Sequence, residues 1–206
     1  MVSVQQAGPA FPGAPAAPAD AALLAAYARG DAAAARMLAL RHLPRLVGYA
    51  TRILGGDRAE AEDVAQEAML RLWRIAPDWR DGEAEVSTWL YRVAANLCTD
   101  RLRRRMRRGG PGLDEVPEMP DGSPDIEARL IAGDRLAALQ AALDRLPERQ
   151  RQAVVLRHIE GLANPAIAGI LGIGVEAVES LTARGKRALA ALLEGRRAEL
   201  GFEGEG

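Results

Sequence analysis

Between Arg101 and Arg108 six of eight positions are arginine, and no acid interrupts them. The 206-residue chain carries a formal net charge of only −1, so this block is a local device and not a symptom of composition. Asn96 and Asp100, four residues apart just upstream, share one face of a helix, and Arg103 and Arg104 continue that face by a further turn. Trp89 and Tyr91 precede them, with Trp73 and Trp79 before those, so half of the eight aromatics lie between 73 and 91. Cations track phosphates, rings stack unpaired bases and amides read exposed base edges, so this grouping suits single-stranded nucleic acid. A solvated basic helix end complementing the helix dipole is the plainer reading. That dipole effect fades within one turn, and six arginines exceed what it can use.

Two other groupings point to binding and not to catalysis. Asp63, Gln66, Glu67, Leu70 and Arg74 recur at helical spacing, a polar stripe with a large apolar residue at its centre. Such a mixed stripe fits a protein-docking face as well as it fits a solvated face with one stray leucine. Near the C-terminus, Asn164 reads as a helix cap with Pro165 at the first helical position, Ile167, Ala168 and Leu171 as an apolar side, and Gly172-Ile173-Gly174 as a tight turn. A second helix from Val175 offers Val178, Leu181 and Leu189 for packing, with Arg184, Lys186 and Arg187 following. Two short helices across so tight a turn form a helix-turn-helix, or an ordinary helical hairpin.

Catalytic chemistry finds no support in the remaining residues. His42 and His158 are the only histidines, stand far apart, and have no cysteine or carboxylate cluster at ligand or triad spacing. The chain therefore reads as a non-enzyme without metal or cofactor, and Cys98, in "ANLCTD", as a packing residue. A single cysteine excludes an internal disulfide and fits a reducing cytoplasm. No run reaches the roughly 18 to 20 apolar residues of a membrane span, and "MVSVQQAGPAFPGAPAAPAD" lacks the basic and apolar regions of a secretory signal.

The elements that must hold these groups are helices. Alanine, leucine and arginine dominate, only 4% of residues are aromatic, and β-branched runs are missing. A disordered Pro/Ala-rich tail is expected over 1–19, with prolines at 9, 12, 15 and 18. Asp20 caps a first helix that Gly30 closes, and Asp31 caps a second, in which Pro44 should produce a kink or break. The next helix, 57–76, begins with acids and ends with Arg71 and Arg74, the order its dipole favours, with Val64, Ala68, Leu72 and Ile75 facing inward. Ser87 caps a long helix to about Arg108, its core stripe being Leu90, Val93, Ala94 and Leu97. From Gly109 to Asp134 the chain holds five glycines, four prolines, seven acids and one arginine. An acidic flexible linker over 109–125 is expected there, then a second helical unit over 126–196 with Pro147 in a helix's first turn, then a flexible tail over 197–206. The fold class is all-α, two small helical domains.

Three segments taken together, "AEDVAQEAMLRLWR", "STWLYRVAANLCTDRLRRRMRR" and "LPERQRQAVVLRHIEGLANPAIAGILGIGVEAVESLTARGKRALAALL", resemble a bacterial RNA polymerase sigma factor of the extracytoplasmic-function (ECF) type. The resemblance implies that 20–108 is sigma region 2, which docks on core polymerase and opens the −10 element, and that 126–196 is region 4, which reads the −35 element. Docking then falls on Asp63, Gln66, Glu67, Leu70 and Arg74. The −10 strand falls on Asn96, Asp100, Arg101, Arg103, Arg104, Arg105, Arg107 and Arg108. The −35 duplex falls on Val175, Glu176, Glu179, Ser180, Arg184, Lys186 and Arg187. The linker would thread the polymerase's active-site and RNA-exit path as a nucleic-acid mimic. The implied partners are core RNA polymerase, promoter DNA and an anti-sigma factor, with no direct membrane insertion. Departures from the family's commoner pattern cluster in the third segment: Ala163, Ala166 and Gly174 replace a serine, a glutamate and a second serine, and Glu179 and Leu181 replace a basic pair. Those changes remove phosphate contacts while leaving the packing residues. The alternative is a helix-turn-helix regulator that is not a sigma factor, which leaves the docking stripe and the arginine block without a purpose.

Overall fold

The computed structural model describes residues 18–80, 82, 84–108 and 126–194, with side chains in the last stretch from 133 onward. Apart from 18 and 19, the expected N-terminal tail lies outside the described residues, as do the acidic linker and everything after 194. Every regular element described is helical: α1 (Asp20–Ala28), α2 (Ala32–Ile53), α3 (Arg58–Ile75) with a 3-10 turn at Ala76–Asp78, α4 (Val86–Arg107), α5 (Ile126–Asp144), α6 (Glu148–Val154) running into a π-helical turn at Val155–Ile159, α7 (Asn164–Leu171) and α8 (Val175–Glu194).

Local chemistry accounts for several of these ends. The Asp31 carboxylate accepts from the N–H groups of Ala33 and Ala34 at 2.8 and 3.2 Å, and that of Asp57 from Glu60 at 2.9 Å, each satisfying donors a helix start leaves open. Pro77 turns the end of α3 into the 3-10 turn. Three expected caps fall elsewhere. Ala19 is the cap of α1, and Asp20 instead holds Arg41 and His42 of α2, the latter at 2.8 Å. Glu85 precedes α4, with Ser87 donating to its carboxylate at 3.4 Å. Ala163 precedes α7, placing Asn164 inside the helix. Pro44 does not break α2. Pro44 stands on the exposed side, and the helix's buried face of Leu38, His42, Leu46, Tyr49 and Ile53 outweighs one missing backbone hydrogen bond.

α1 to α4 pack around Leu24, Leu38, Tyr49, Ile53, Leu72 and Leu90, all fully buried. The inner stripe of α3 is Ala61, Val64, Ala65, Ala68, Met69 and Leu72, with Ile75 at its margin. That of α4 runs through Leu90, Tyr91, Ala94, Ala95 and Cys98, with Val93 and Leu97 half-buried beside it. After the linker, Leu143, Leu156, Ile167 and Val178 continue the same core without a gap, so the two helical units lie against each other. α4 packs on α7, and α2 on α5 and α6.

Candidate nucleic-acid interface

One side of α4 is open to solvent along its length. Arg92, Asn96, Asp100, Arg103, Arg104 and Arg107 are all exposed, and steps of three or four residues put them on one stripe. Arg108, the residue after the helix, is exposed too. Two arginines of the block are turned inward. Arg101 donates to the Glu60 carbonyl, and Arg105 donates to Asp57 Oδ2 at 2.5 Å and to the Leu54 carbonyl at 3.1 Å, with Glu60 Oε2 at 2.8 Å. These bonds fasten the end of α4 to the start of α3. The acids that lead α3 therefore serve two ends: its own dipole and the neighbouring arginines. Arg103, Arg104, Arg107 and Arg108 keep their guanidinium groups in water, the usable part of the block.

At the other end of the stripe an open cleft of about 330 Å³ is lined by Ile75, Asp78, Trp79, Arg80, Ala84, Trp89 and Arg92. Trp79 and Trp89 meet edge to face, with ring centroids 6.2 Å apart. The Trp79 indole N–H is buried without a hydrogen-bond partner. Trp73 instead meets Tyr27 in the helical bundle with centroids 4.6 Å apart and planes tilted by 51°, and Tyr91 meets Tyr49 edge-on at 5.5 Å in the core. Two of the four clustered aromatics thus line the cleft and two do not. Arg92 was not among the residues singled out from the sequence. Its place four residues before Asn96 was the available signal.

On α3, Asp63, Gln66, Leu70 and Arg74 are exposed and Glu67 is half-exposed, pairing with Arg71 at 2.8 Å. Leu70 keeps 49% of its surface in water among these polar neighbours. In the C-terminal unit, Gly172 takes the left-handed conformation at φ 64° that closes α7. α8 buries Val178 and Gly185 against its neighbours and exposes Val175, Glu176, Glu179, Ser180, Arg184, Lys186 and Arg187. Asn164 donates to Glu179 at 3.4 Å, and Arg184 donates to the Ser180 hydroxyl at 2.8 Å. Leu181 is half-buried.

The titratable residues that could have done chemistry are occupied otherwise. Burial pushes the Cys98 thiol up to about 12 against the opposing charge of Arg101, and lowers His42 against the opposing pull of Asp20. His158 is exposed, its value lowered first by desolvation and then by Lys186 and Arg157. Among the described residues, no three His, Cys, Asp or Glu side chains are grouped to hold a metal ion, and no single helix is long and apolar enough to cross a membrane.

A helical bundle with a basic, aromatic-flanked stripe, followed by a helix-turn-helix, is the architecture of a two-part promoter-reading factor. The model for Sigma-70 region 2 matches residues 38–108, and that for Sigma-70, region 4 matches 136–189. The ECF RNA polymerase sigma factor SigM of Mycobacterium tuberculosis is 37% identical over 174 residues, 84% of each chain. The RNA polymerase sigma factor CnrH of Cupriavidus metallidurans is 32% identical over 184 residues, 85% of this chain and 95% of its own. A solved structure of CnrH in complex with the cytosolic domain of CnrY superposes with a TM-score of 0.63 at 27% identity, covering 85% of this chain and 97% of that one. The chain belongs to the sigma-70 family as an ECF-type sigma factor. It is an alternative sigma factor of transcription initiation, and a regulator outside that family is set aside by the match over 38–108.

Proposed function

We propose that this sigma factor docks on core RNA polymerase through Asp63, Gln66, Glu67, Leu70 and Arg74, and that residues 20–108 form the docking and −10 domain. Asn96 and Asp100 read bases of the parted −10 strand, while Arg103, Arg104, Arg107 and Arg108 hold its phosphates. The Trp79–Trp89 cleft at the stripe's other end supplies ring faces for an unstacked base. Arg101 and Arg105 act indirectly, by fixing the helix that carries the others. Residues 126–196 form the −35 domain, reading duplex through Val175, Glu176, Glu179, Ser180, Arg184, Lys186 and Arg187. The protein works in the cytoplasm as a binding factor, not an enzyme. It is restrained there by an anti-sigma factor, a reading supported by the solved complex of CnrH with the cytosolic domain of CnrY.

The observation that carries the docking assignment is Leu70, half-exposed in the middle of a polar stripe. Leu70→Asp is expected to weaken binding to purified core polymerase at least tenfold while leaving the far-UV CD spectrum and melting temperature unchanged. Normal core binding by the variant refutes the docking face, and a large loss of stability assigns Leu70 to the core. Run-off transcription with purified core and genomic fragments then identifies the promoters, and loss of transcripts with Asn96→Ala on some fragments but not others tests the −10 assignment.

A further inference from the structure

α2 is apolar on two sides. Opposite its core face, Ala33, Met37, Leu40 and Pro44 recur at steps of three and four and are all exposed, with Val47 half-buried next in line. Met37 keeps 40% of its surface in water and Leu40 69%. A surface helix ordinarily carries polar residues on that side. Here the outer stripe is free of charge, and α2 has no acid anywhere between Ala32 and Ile53. Arg36 and Arg41 stand along the two edges of the stripe. Among the described residues nothing covers it.

The chain enters α1 beside this stripe. Arg41, one turn from both Met37 and Pro44, donates to the Pro18 carbonyl at 3.0 Å and to Asp20 Oδ1. His42 meets Asp20 Oδ2 at 2.8 Å. Asp20 thus ties the start of α1 to α2 instead of capping its own helix, and the point where residues 1–17 join is fixed at the stripe's edge. Those residues, "MVSVQQAGPAFPGAPAA", hold no charged side chain, and Phe11 is their one aromatic. Prolines at 9, 12 and 15 favour an extended backbone, which loses less freedom on being laid down than a free coil does. At about 3.1 Å per residue the steps from Phe11 to Pro18 span about 22 Å. The stripe from Ala33 to Val47 is about 21 Å long at about 1.5 Å per residue, so Phe11 reaches any part of it. A second copy laid on the stripe would set arginine against arginine. A partner in solution lacks the roughly millimolar effective concentration of a short tether. The uncharged segment meets neither obstacle.

We propose that the outer stripe of α2 is the docking site of residues 1–17 of the same chain, with Phe11 seated among Met37, Leu40 and Pro44. The test uses the full chain with the photoreactive residue p-benzoylphenylalanine in place of Phe11. Irradiation of a dilute sample should join residue 11 to Met37 or Leu40 within one molecule, a link that peptide mass spectrometry identifies. Met37→Asp with Leu40→Asp, both at exposed positions, should lower the yield of that link at least fivefold while the far-UV CD spectrum stays unchanged. The second measurement leaves α2 intact. In dilute peroxide, Phe11→Ser should speed oxidation of Met37 to its sulfoxide about threefold, because the covering ring is gone. Met106, 75% exposed on α4, serves as the internal reference and should oxidise at one rate in both chains. Links between two molecules that grow with protein concentration overturn the proposal in favour of a second copy. No link, or a link that the aspartates do not reduce, overturns it in favour of a free segment. Equal Met37 oxidation with and without Phe11 overturns it as well, and decides alone if the aspartate variant does not fold.

Discussion

Gly185 lies where α8 crosses α6 most closely. A Cβ added there would stand 2.5 Å from Val154 Cγ2, 3.2 Å from the Gln150 carbonyl oxygen and 3.4 Å from Gln150 Cβ. Val154 is itself in the core at 2% exposure and is stiff at χ1, and the second atom is backbone. Neither neighbour yields cheaply. Overpacking of this kind costs about 2–3 kcal/mol, and alanine's better helix propensity returns about 1 kcal/mol. Gly185→Ala is therefore expected to destabilise the protein by about 1–2 kcal/mol, a fall of about 2–8 °C in melting temperature for a chain of this size. Thermal unfolding followed at 222 nm reads the effect, and the double variant Gly185→Ala/Val154→Ala closes a thermodynamic cycle. Because the pair touches, the double variant should lose less than the sum of the single losses. A rise in melting temperature, as propensity alone dictates, would refute the close crossing. The position matters for function because Arg184 and Lys186 flank it, so a shift of α8 at this point re-aims the proposed −35 contacts.

Arg105→Ala should cost about 1–2 kcal/mol of stability by removing the donor to Asp57 and the cation beside Glu60. Arg104→Ala should leave stability within about 0.5 kcal/mol and lower the salt slope of single-strand binding by about one. Equal behaviour of the two in melting and binding would refute the division of the arginine block. Glu179→Lys removes an exposed carboxylate from the proposed duplex-reading face and should steepen the salt dependence of duplex binding by about one unit. An unchanged slope in a folded variant would mean that this face does not meet DNA. Burial raises the Cys98 thiol to about 12, so it should resist iodoacetamide at pH 8 in the native chain and react on denaturation. Since the unfolded thiol ionises near its ordinary value and the folded one does not, this group stabilises the fold below that value. The contribution should decline as pH climbs from there toward 12, and melting temperatures that stay flat over that window would contradict the burial.

The helices were legible in the sequence because the signals that set them are local. Apolar spacing on α3, the Asp31 cap and the turn at Gly172 involve residues within a few positions of one another. The outward faces of α3, α4 and α8 followed from the same periodicity, since a helix that buries one stripe exposes the opposite one. Asp20, Arg101 and Arg105 were misread or undivided for the opposite reason. Their partners, Arg41 and His42 for the first and Glu60, Leu54 and Asp57 for the others, lie 21 to 51 positions away, and no spacing rule connects them. The hydrogen bond from Tyr91 to Glu160 belongs to the same class, with 69 positions between the two. Periodicity says which side of a helix is apolar. Only the packed structure decides which charges on the other side are held by neighbours and which remain in water, because a charge is taken up wherever a distant element happens to bring an acid or a carbonyl within hydrogen-bond reach.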